Sequence, residues 1–341
     1  MKEKKIQPKA DRPLVEKKQF PVSIIVPMRN SATTIKKTLD SVIKQNYPIR
    51  EIIVIDNVSN DSSVEIVKKY IIKNKKIPIY IVVHKKNKGV GASYNEGVER
   101  SKSDYVVFMH SDSTLPTVNE LKKLTQPFYD DKATVATYSY ILNPEEVWET
   151  YNFWMKSLMA RAVGKESAGL NDKFDCINKK IFDKVRGFDS VNFGHHIGVG
   201  AEDSDLHMKL LKEGKVVKSE ARVVHLHYLK GDYRLSDYII NRKLLARSYG
   251  RIMRIRGREI GLLILLFFIK PFIAILPFIP SLFPYSFIIL LLFSIWYMKK
   301  MYITKSTLLN PNIILLPFIT IFLIYYETFW VLESFLITEK K

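Results

Sequence analysis

The feature that most constrains this chain is the alternation of short apolar runs with helical periodicity in its first two thirds. Val22–Pro27 is the first run, and from Ile35 onward apolar side chains recur at helical spacing. Glu51–Asp56 is nearly continuous in apolar residues, which is typical of a parallel strand covered on both faces. Runs at Ile77–Val83 and Tyr105–Met109 continue the alternation. This βαβα order predicts an α/β fold with a doubly wound, mostly parallel sheet.

Polar residues follow four of these predicted strands. Ligands of a doubly wound sheet bind beyond the carboxyl ends of its strands. One such residue alone is typical of a turn or a helix cap, whereas four groups in register at one edge of the sheet indicate a binding site. The groups are Pro27 and Asn30, then Asp56 and Asn57, then Lys88, Gly89 and Asn95, and finally His110, Ser111 and Asp112.

The glycine pair Gly89 and Gly91 does not favour a dinucleotide-binding site. The fingerprint of such a site is Gly-x-Gly-x-x-Gly, and it follows the first strand of its unit. Here the pair follows the third strand, and Tyr94 stands where the last glycine would be. We therefore discount a dinucleotide cofactor.

The chain resembles the family 2 inverting glycosyltransferases, which have the GT-A fold, over about residues 22–230. The resemblance rests on motifs whose order is specific, although each is short. They are Ser23-Ile24-Ile25-Val26-Pro27-x-x-Asn30, Glu51-Ile52-Ile53-Val54-Ile55-Asp56-Asn57, Asn87-Lys88-Gly89 with Asn95-x-Gly97, Asp104-Tyr105-Val106-Val107-Phe108-Met109-x-x-Asp112, Gly187-Phe188-Asp189 and Glu202-Asp203-x-Asp205-Leu206.

The resemblance implies a site for a nucleoside diphosphate sugar. Asp56 would bind the base, and Asp112 would coordinate a divalent metal, Mg²⁺ or Mn²⁺, on the diphosphate. Either ion takes oxygen ligands and stabilises charge on a leaving group. Further contacts to the nucleotide are implied at the other matching positions, which are Pro27, Asn30, Asn57, Lys88, Gly89, Asn95 and Ser111.

Histidines complicate the expected metal site. The family usually has Asp-x-Asp where this chain has His110-Ser111-Asp112. An imidazole there suits Mn²⁺ better than Mg²⁺, so His110 is either a metal ligand or a bystander. A predicted strand at Arg222–Leu226 should return beside the metal, and the family resemblance implies an extra ligand there, either His227 or His225.

The resemblance also implies that Asp203 is the general base, with Glu202 beside it. The base would take the proton from an acceptor hydroxyl as its oxygen attacks the anomeric carbon. Asp203 opens a predicted helix, Ser204–Lys212, where the helix dipole favours a carboxylate. An acidic helix start is common by itself, but glycines at positions 194, 198 and 200 indicate a mobile loop at a site.

The C-terminal part of the chain predicts a membrane region. It contains three apolar runs, Gly261–Leu282, Pro284–Met298 and Ile313–Leu332. A spanning helix needs about 20 apolar residues, so we expect two to three spans. Residues 1–20 have no apolar core of a signal peptide, and Lys and Arg flank the runs on one side. We therefore predict an integral membrane protein with its catalytic domain on the cytoplasmic face.

The basic charge is concentrated before the apolar runs. The chain has 53 Lys and Arg against 34 Asp and Glu, a net charge of +19, yet residues 260–341 hold only six Lys against three Glu. Residues 233–259 predict a basic amphipathic helix on anionic headgroups. Nucleic acid is the least favoured partner, because no aromatic-basic interleaving is present. The predicted units are a tail (1–20), a GT-A domain (21–232), the interfacial helix (233–259) and the membrane region (260–341).

These patterns predict a membrane-anchored transferase that acts on a hydroxyl of a lipid-linked glycan. A polyprenyl-phosphate sugar synthase is the alternative within the class, although such an enzyme needs no strong hydroxyl base and the Glu202-Asp203 pair argues against it. Two alternatives belong to other classes. One is an inactive membrane scaffold, suggested by His110, and the other is a basic protein that binds nucleic acid or lipid.

Overall fold

The structure is a computed structural model, and it describes residues 19–142, 151–158, 166–170, 172–194, 197–226, 234–261, 269–298 and 305–337. The strands in these residues are β1 (Val22–Met28), β2 (Ile49–Asp56), β3 (Ile79–Val83), β4 (Tyr105–Met109), β5 (Ser113–Thr114), β6 (Thr134–Leu142), β7 (Glu166–Ala168), β8 (Phe174–Asn178) and β9 (Lys215–His225). The α-helices are α1 (Ile35–Ile43), α2 (Ser63–Lys73), α3 (Val90–Arg100), α4 (Glu120–Asp130), α5 (Phe153–Leu158), α6 (Lys179–Lys184), α7 (Glu202–Leu211), α8 (Leu235–Ile260), α9 (Ile269–Ile275), α10 (Phe283–Met298), α11 (Lys305–Leu308) and α12 (Leu316–Leu336).

One sheet holds all of the described strands. Its order is β3-β2-β1-β4-β8-β6-β9-β5, with β7 beside β6. Strands β1 to β4 pair in parallel, which confirms the doubly wound α/β prediction. Parallel pairing stops at β4, because β8 runs antiparallel to it, and the rest of the sheet is mixed.

The parallel half is covered on both faces, as its apolar runs predict. All seven residues of β1 are buried. Ile24 packs in one cluster with Leu39 of α1, and Ile25 packs in another with Tyr94 of α3. Each fully buried aliphatic side chain contributes about 1.5–3 kcal/mol. Gly97 lets α3 lie directly on β1, because a Cβ there would stand 2.3 Å from Cγ2 of Ile25.

Strand β9 brings the later part of the chain back to the end of β4. It runs parallel to β6 and antiparallel to β5, with His225 opposite Ser113. The main-chain N–H of Leu226 donates to the carbonyl of Asp112 at 2.8 Å. The predicted strand at Arg222–Leu226 is therefore confirmed in place, and it begins seven residues earlier, at Lys215.

Helix α8 lies where residues 233–259 predict a helix, but its basic side faces the protein more than expected. Nε of Arg242 donates to Oε1 of Glu327 at 2.7 Å, and each of these residues is only 8% exposed. Nε of Arg247 donates to Oε2 of Glu333 at 3.1 Å. Both acids belong to α12, and a buried acid without a cation would be costly. The expectation that this side contacts headgroups therefore does not hold for these two arginines.

The described residues contain one helix that is long and apolar enough to cross a membrane, at Pro311–Leu336. A shorter apolar helix covers Tyr285–Trp296. Of the first predicted run, Gly261 and residues 269–282 are described, and there α9 is followed by two short 3₁₀ turns. Of the predicted two to three spans, the described part of the chain therefore contains one candidate of full length.

Candidate active site

Three potential metal ligands from two segments meet at the end of β4. His110 and Asp112 lie between β4 and β5, and His225 ends β9. Nδ1 of His110 is 3.7 Å from Oδ1 of Asp112, and Nε2 of His225 is 3.3 Å from Oδ2 of Asp112. One ligand atom from each lies within 4.8 Å of the others. His110 and Asp112, the two ligands predicted after β4, are thus joined by His225, one of the two histidines predicted for the returning strand. The other, His227, lies outside the described residues.

This cluster, which we call the metal cluster, has donors that fit a divalent ion. Two imidazole nitrogens and a carboxylate oxygen can hold one metal on one side and leave positions for other ligands. All three residues are half-buried, so the cluster is open to solvent on part of its surface. A diphosphate could supply the remaining oxygen ligands.

Asp172 is a fourth polar residue at this position, and no sequence pattern singled it out. Its Oδ1 lies 2.8 Å from Nε2 of His110, across 62 residues of sequence. The Asp172 backbone is left-handed, with φ 59°. Its N–H donates to Oδ2 of Asp175 at 2.6 Å, and its carbonyl accepts from the buried Tyr94 hydroxyl at 2.8 Å. These bonds fix the direction of a carboxylate that only the tertiary fold brings to His110.

The metal cluster is acidic enough to change the protonation of His110. Burial lowers the pKa of His110, but the charge of Asp172 and hydrogen bonds with Asp112 and Asp172 outweigh it and raise the pKa to about 9. Without a metal, His110 therefore carries a proton on both ring nitrogens at neutral pH and is positively charged. Metal binding must displace that proton from the ligating nitrogen.

Asp56 ends β2 with a carboxylate that is only half satisfied. The residue is 1% exposed. Oδ2 accepts from the main-chain N–H of Ser59 at 3.1 Å, whereas Oδ1 has no hydrogen-bond partner among the described residues. A buried acceptor without a partner costs about 1–3 kcal/mol, so this oxygen suits an N–H donor of a bound ligand.

Asn57 organises the loop that leads into α3. Its Oδ1 accepts from the main-chain N–H of Lys88 at 2.9 Å and lies 3.2 Å from Nδ1 of His84. Its Nδ2 donates to Oδ1 of Asn87 at 2.7 Å, and the same oxygen accepts from the N–H of Gly89 at 2.9 Å. Gly89, with φ 85°, precedes the first residue of α3. The structure thus brings together Asn57, Lys88 and Gly89, three of the residues predicted to contact the nucleotide, and the contacts of Asn57 and Gly89 to a nucleotide stay predictions.

The side chain of Lys88 is paired within the protein. Its Nζ lies 3.0 Å from Oε2 of Glu96. Burial raises the pKa of Glu96, but hydrogen bonds from Lys88, His84 and Arg100 outweigh it and lower the pKa to about 2. Glu96 therefore stays ionised and holds Lys88, and a contact between Lys88 and a nucleotide stays a prediction.

Asn30 and Ser111 brace the loops after β1 and β4. The N–H of Asn30 donates to Oγ of Ser59 at 2.9 Å, and Oγ of Ser111 lies 2.8 Å from Oγ of Ser31. Pro27 is buried within β1. All three lie at the predicted edge of the sheet, and their contacts to a nucleotide stay predictions.

Asn95 has a different set of contacts from the one we expected. Its Nδ2 donates to the carbonyl of Phe188 at 2.8 Å, and its Oδ1 accepts from the Phe188 N–H at 2.9 Å. A Cβ at Gly187 would lie 2.5 Å from this Oδ1. Asn95 therefore fixes the turn at 187–188, and its contact to a nucleotide stays a prediction.

Glu202 and Asp203, which we call the acid block, begin α7. The helix starts two residues before the predicted Ser204. Glu202 is 4% exposed, and its Oε1 has no hydrogen-bond partner in the described part of the chain. Burial, followed by the charges of Asp172 and Asp203, raises the pKa of Glu202 to about 7. Burial and the charge of Asp172 also raise the pKa of Asp203, so both carboxylates are stronger bases than surface carboxylates.

Replacing Glu202 with Gln is expected to stabilise the protein more at pH 8 than at pH 5. The folded protein holds the Glu202 proton up to about pH 7, above the ordinary value of 4.5, so stability from this group is lost as the pH rises through 7. Gln removes the loss, and the gain in free energy of unfolding should be about 2–3 kcal/mol larger at pH 8. Chemical unfolding at both pH values measures it, and an equal gain at both would contradict the burial of an ionisable Glu202.

Helix α8 holds the acid block in place from one side. Nε and Nη2 of Arg256 lie 2.8 and 2.7 Å from Oδ1 of Asp205, which is fully buried in α7. Oγ of Ser248 accepts from the N–H of Gly200 at 2.6 Å. Two hydrogen-bonded ties therefore join α8 to the start of α7 and to the glycine loop before it.

Replacing Arg256 with Met is expected to lower the free energy of unfolding by about 3 kcal/mol, because it leaves the charge of Asp205 buried. Nζ of Lys209 lies 3.2 Å from Oδ2 of Asp205 and still compensates part of this charge. The expected loss is therefore at the lower end of the about 3–5 kcal/mol that breaking a buried ion pair costs. Hydrogen exchange should also rise at the start of α7. Arg258→Met, at an exposed arginine of the same helix, is the control. Equal free energies of unfolding and equal hydrogen exchange in the two variants would show that the Arg256–Asp205 pair does not hold the start of α7.

Comparison with known proteins places the chain among glycosyltransferases. Residues 23–186 match the family model described as Glycosyl transferase family 2. Glycosyltransferase GlyG of Streptococcus pneumoniae is 24% identical over 226 residues, which cover 58% of this chain and 73% of that protein. An uncharacterized glycosyltransferase of Haemophilus influenzae is 34% identical over 91 residues, which cover 27% of this chain and only 36% of that relative.

The fold is similar to that of a solved structure, the mannosyltransferase PcManGT from Pyrobaculum calidifontis in complex with GDP-Man and Mn²⁺. The TM-score is 0.58 at 14% identity, over 94% of this chain and 89% of that one. At this identity the likeness shows the fold alone. The domain at residues 23–186 therefore belongs to glycosyltransferase family 2, and the chain has the GT-A fold.

Proposed function

We propose that this protein transfers a sugar from a nucleoside diphosphate sugar to an acceptor hydroxyl of a lipid-linked glycan, with inversion at the anomeric carbon. The observation that carries the proposal is the 2.8 Å contact between Asp172 and His110 of the metal cluster. The charge of Asp172 also raises the pKa of both Glu202 and Asp203, which links the metal cluster to the acid block. A leaving diphosphate and an attacking hydroxyl need these two kinds of group on opposite sides of one sugar.

Donor binding would begin at the edge of the parallel strands. Oδ1 of Asp56, which has no hydrogen-bond partner among the described residues, would accept from an N–H of the base. Asn57 would hold the loop into α3 beside it. His110, Asp112 and His225 would hold the divalent ion, which when bound neutralises charge on the leaving diphosphate.

Proton transfer would fall to the acid block. Asp203 is the more accessible of its two carboxylates, and its raised pKa makes it a better proton acceptor than an ordinary aspartate. Glu202 stays protonated up to about pH 7, so it does not add a second negative charge beside Asp203 below that pH. Asp203 is therefore our choice for the base, with Glu202 as its neighbour.

The acceptor is assigned to a membrane because of the exposed apolar side chains on α10 and α12. Phe287, Leu292 and Trp296 on α10 are each at least half exposed, as are Phe318 and Phe329 on α12. Apolar surface of this extent is unusual against water and suits hydrocarbon. We propose that these helices anchor the protein in the bilayer, with the catalytic domain on the cytoplasmic side where the basic flanks lie.

The test uses the full chain in native membranes with labelled UDP- and GDP-sugars and either Mn²⁺ or Mg²⁺. We expect label to enter the organic-solvent phase as a lipid-linked product, and the protein to resist alkaline extraction from the membrane. No transfer and no hydrolysis of any donor would contradict the proposed reaction. A water-soluble product would contradict the lipid-linked acceptor. Release of the protein by alkali would contradict the membrane anchor. A product with the sugar on a lipid phosphate would identify the synthase alternative.

A further inference from the structure

We propose that Asp172 is a positioning residue that orients His110 as a nitrogen ligand, and that the metal cluster therefore selects Mn²⁺ over Mg²⁺. The proposal rests on the proposed function only in assuming that a divalent ion binds at the metal cluster. It differs from the Asp-x-Asp expectation, in which oxygen atoms alone meet the metal between β4 and β5.

The geometry assigns different tasks to the two nitrogens of His110. Nε2 lies 2.8 Å from Oδ1 of Asp172, so it is the nitrogen that carries the hydrogen of this bond when His110 is neutral. Nδ1 is then left as the lone-pair donor, and it lies on the Asp112 side, 3.7 Å from Oδ1. The His110 and His225 rings are 5.9 Å apart between centroids, so both can reach one ion beside Asp112.

Asp172 is itself held firmly enough to orient a neighbour. Its side chain is 10% exposed, and its main chain bonds to the side chains of Asp175 and Tyr94. Its left-handed backbone is unusual for a residue other than glycine. A carboxylate behind a histidine ligand fixes the tautomer and ring orientation and raises the basicity of the ligating nitrogen.

The resulting donor set decides between the two ions. Mg²⁺ is a hard ion that favours oxygen ligands and keeps several waters. Imidazole suits first-row transition metals, whose affinity at nitrogen sites rises along the series from Mn²⁺ to Cu²⁺. Two imidazoles and a carboxylate should therefore bind Mn²⁺ more tightly than Mg²⁺, and Co²⁺ more tightly again.

The test measures metal binding to the full chain in detergent, without nucleotide. Free Mn²⁺ is followed by electron paramagnetic resonance, Mg²⁺ is added as competitor, and the visible spectrum of bound Co²⁺ reports nitrogen ligands. Asp172→Ala should weaken Mn²⁺ binding by about 10–100-fold, and Asp172→Asn, which keeps an acceptor oxygen, by less. His110→Asp should reduce the preference for Mn²⁺ over Mg²⁺ and alter the Co²⁺ spectrum. Asp130→Asn, an exposed acid on α4, is the matched control.

Wild-type affinity in Asp172→Ala, in a protein with unchanged unfolding temperature, would overturn the role of Asp172. Equal affinity of the wild type for Mn²⁺ and Mg²⁺, or a Co²⁺ spectrum unaffected by His110→Asp, would overturn the nitrogen ligation. These readouts are independent of transfer, so binding as expected without turnover of any donor would contradict the proposed function and leave this inference in place.

Discussion

Asp203→Asn is expected to lower kcat by about 10²–10⁴-fold, the usual contribution of a positioned general base. Asn has nearly the same shape but cannot accept the hydroxyl proton. Donor binding should change little, because Asp203 faces the acceptor side in the proposed reaction. Steady-state kinetics with a saturating donor measure the loss. The pKa of Asp203 is raised by burial and by Asp172, so wild-type activity should fall as the pH drops through a value above the ordinary aspartate range.

Two further variants separate this effect from general damage. Asp130→Asn makes the same chemical change at an exposed position on α4 and should retain wild-type kcat. Asp130 lies far from the metal cluster. Its neighbour Asp131 pairs with Lys215 at the start of β9, whereas His225 lies at the other end of this 11-residue strand. Glu202→Gln should lose less activity than Asp203→Asn. A larger loss in Glu202→Gln would move the base to Glu202.

Asp112→Asn is expected to lower kcat/KM by about 10³-fold, because a metal on a leaving group supplies several kcal/mol of stabilisation in the transition state. Asp112 is the one carboxylate of the metal cluster and lies within 3.7 Å of both histidines. Asn removes the charge while keeping the size of the side chain. Initial rates over a Mn²⁺ titration measure the loss, and the titration should shift to higher metal concentration.

Asp104→Asn is the matched control for this prediction. Asp104 immediately precedes β4, so it lies at the other end of the strand that carries the metal cluster, and it is exposed. Its substitution should leave both the rate and the metal titration unchanged. If Asp112→Asn keeps a wild-type Mn²⁺ titration, the metal does not bind at the cluster.

The parallel half of the sheet and its polar edge could be predicted because their signals are local. Apolar runs repeat within each strand, and Asp56 and Asp112 follow their strands directly in the chain. The resemblance at short motifs placed the acid block, and the start of α7 at Glu202 agrees with it to within two residues. Strand β9 was predicted in place, but its length was not, because alternation is weak at Lys215–Lys218.

The contacts across long stretches of sequence could not be predicted. His110 and Asp172 are 62 residues apart, and Arg242 and Glu327 are 85 apart. Nothing near Asp172 in the sequence marks it as a partner of a histidine. Arginines on an amphipathic helix are predicted from sequence to face lipid, because the sequence does not show that an acid on another helix is buried against them. Asn95 fits a nucleotide motif, yet its amide is used by the main chain of Phe188.

The most direct test of a metal-held diphosphate with a separate base is equilibrium binding of UDP and GDP in the presence of Mn²⁺. Isothermal titration would compare the wild type, Asp112→Asn and Asp203→Asn, each as the full chain. We predict that the wild type binds at least one of the two nucleotides only when Mn²⁺ is present. Asp203→Asn should bind it equally well, and Asp112→Asn at least about tenfold more weakly. Wild-type affinity in Asp112→Asn, or no binding of either nucleotide by the wild type, would contradict the assignment of this site.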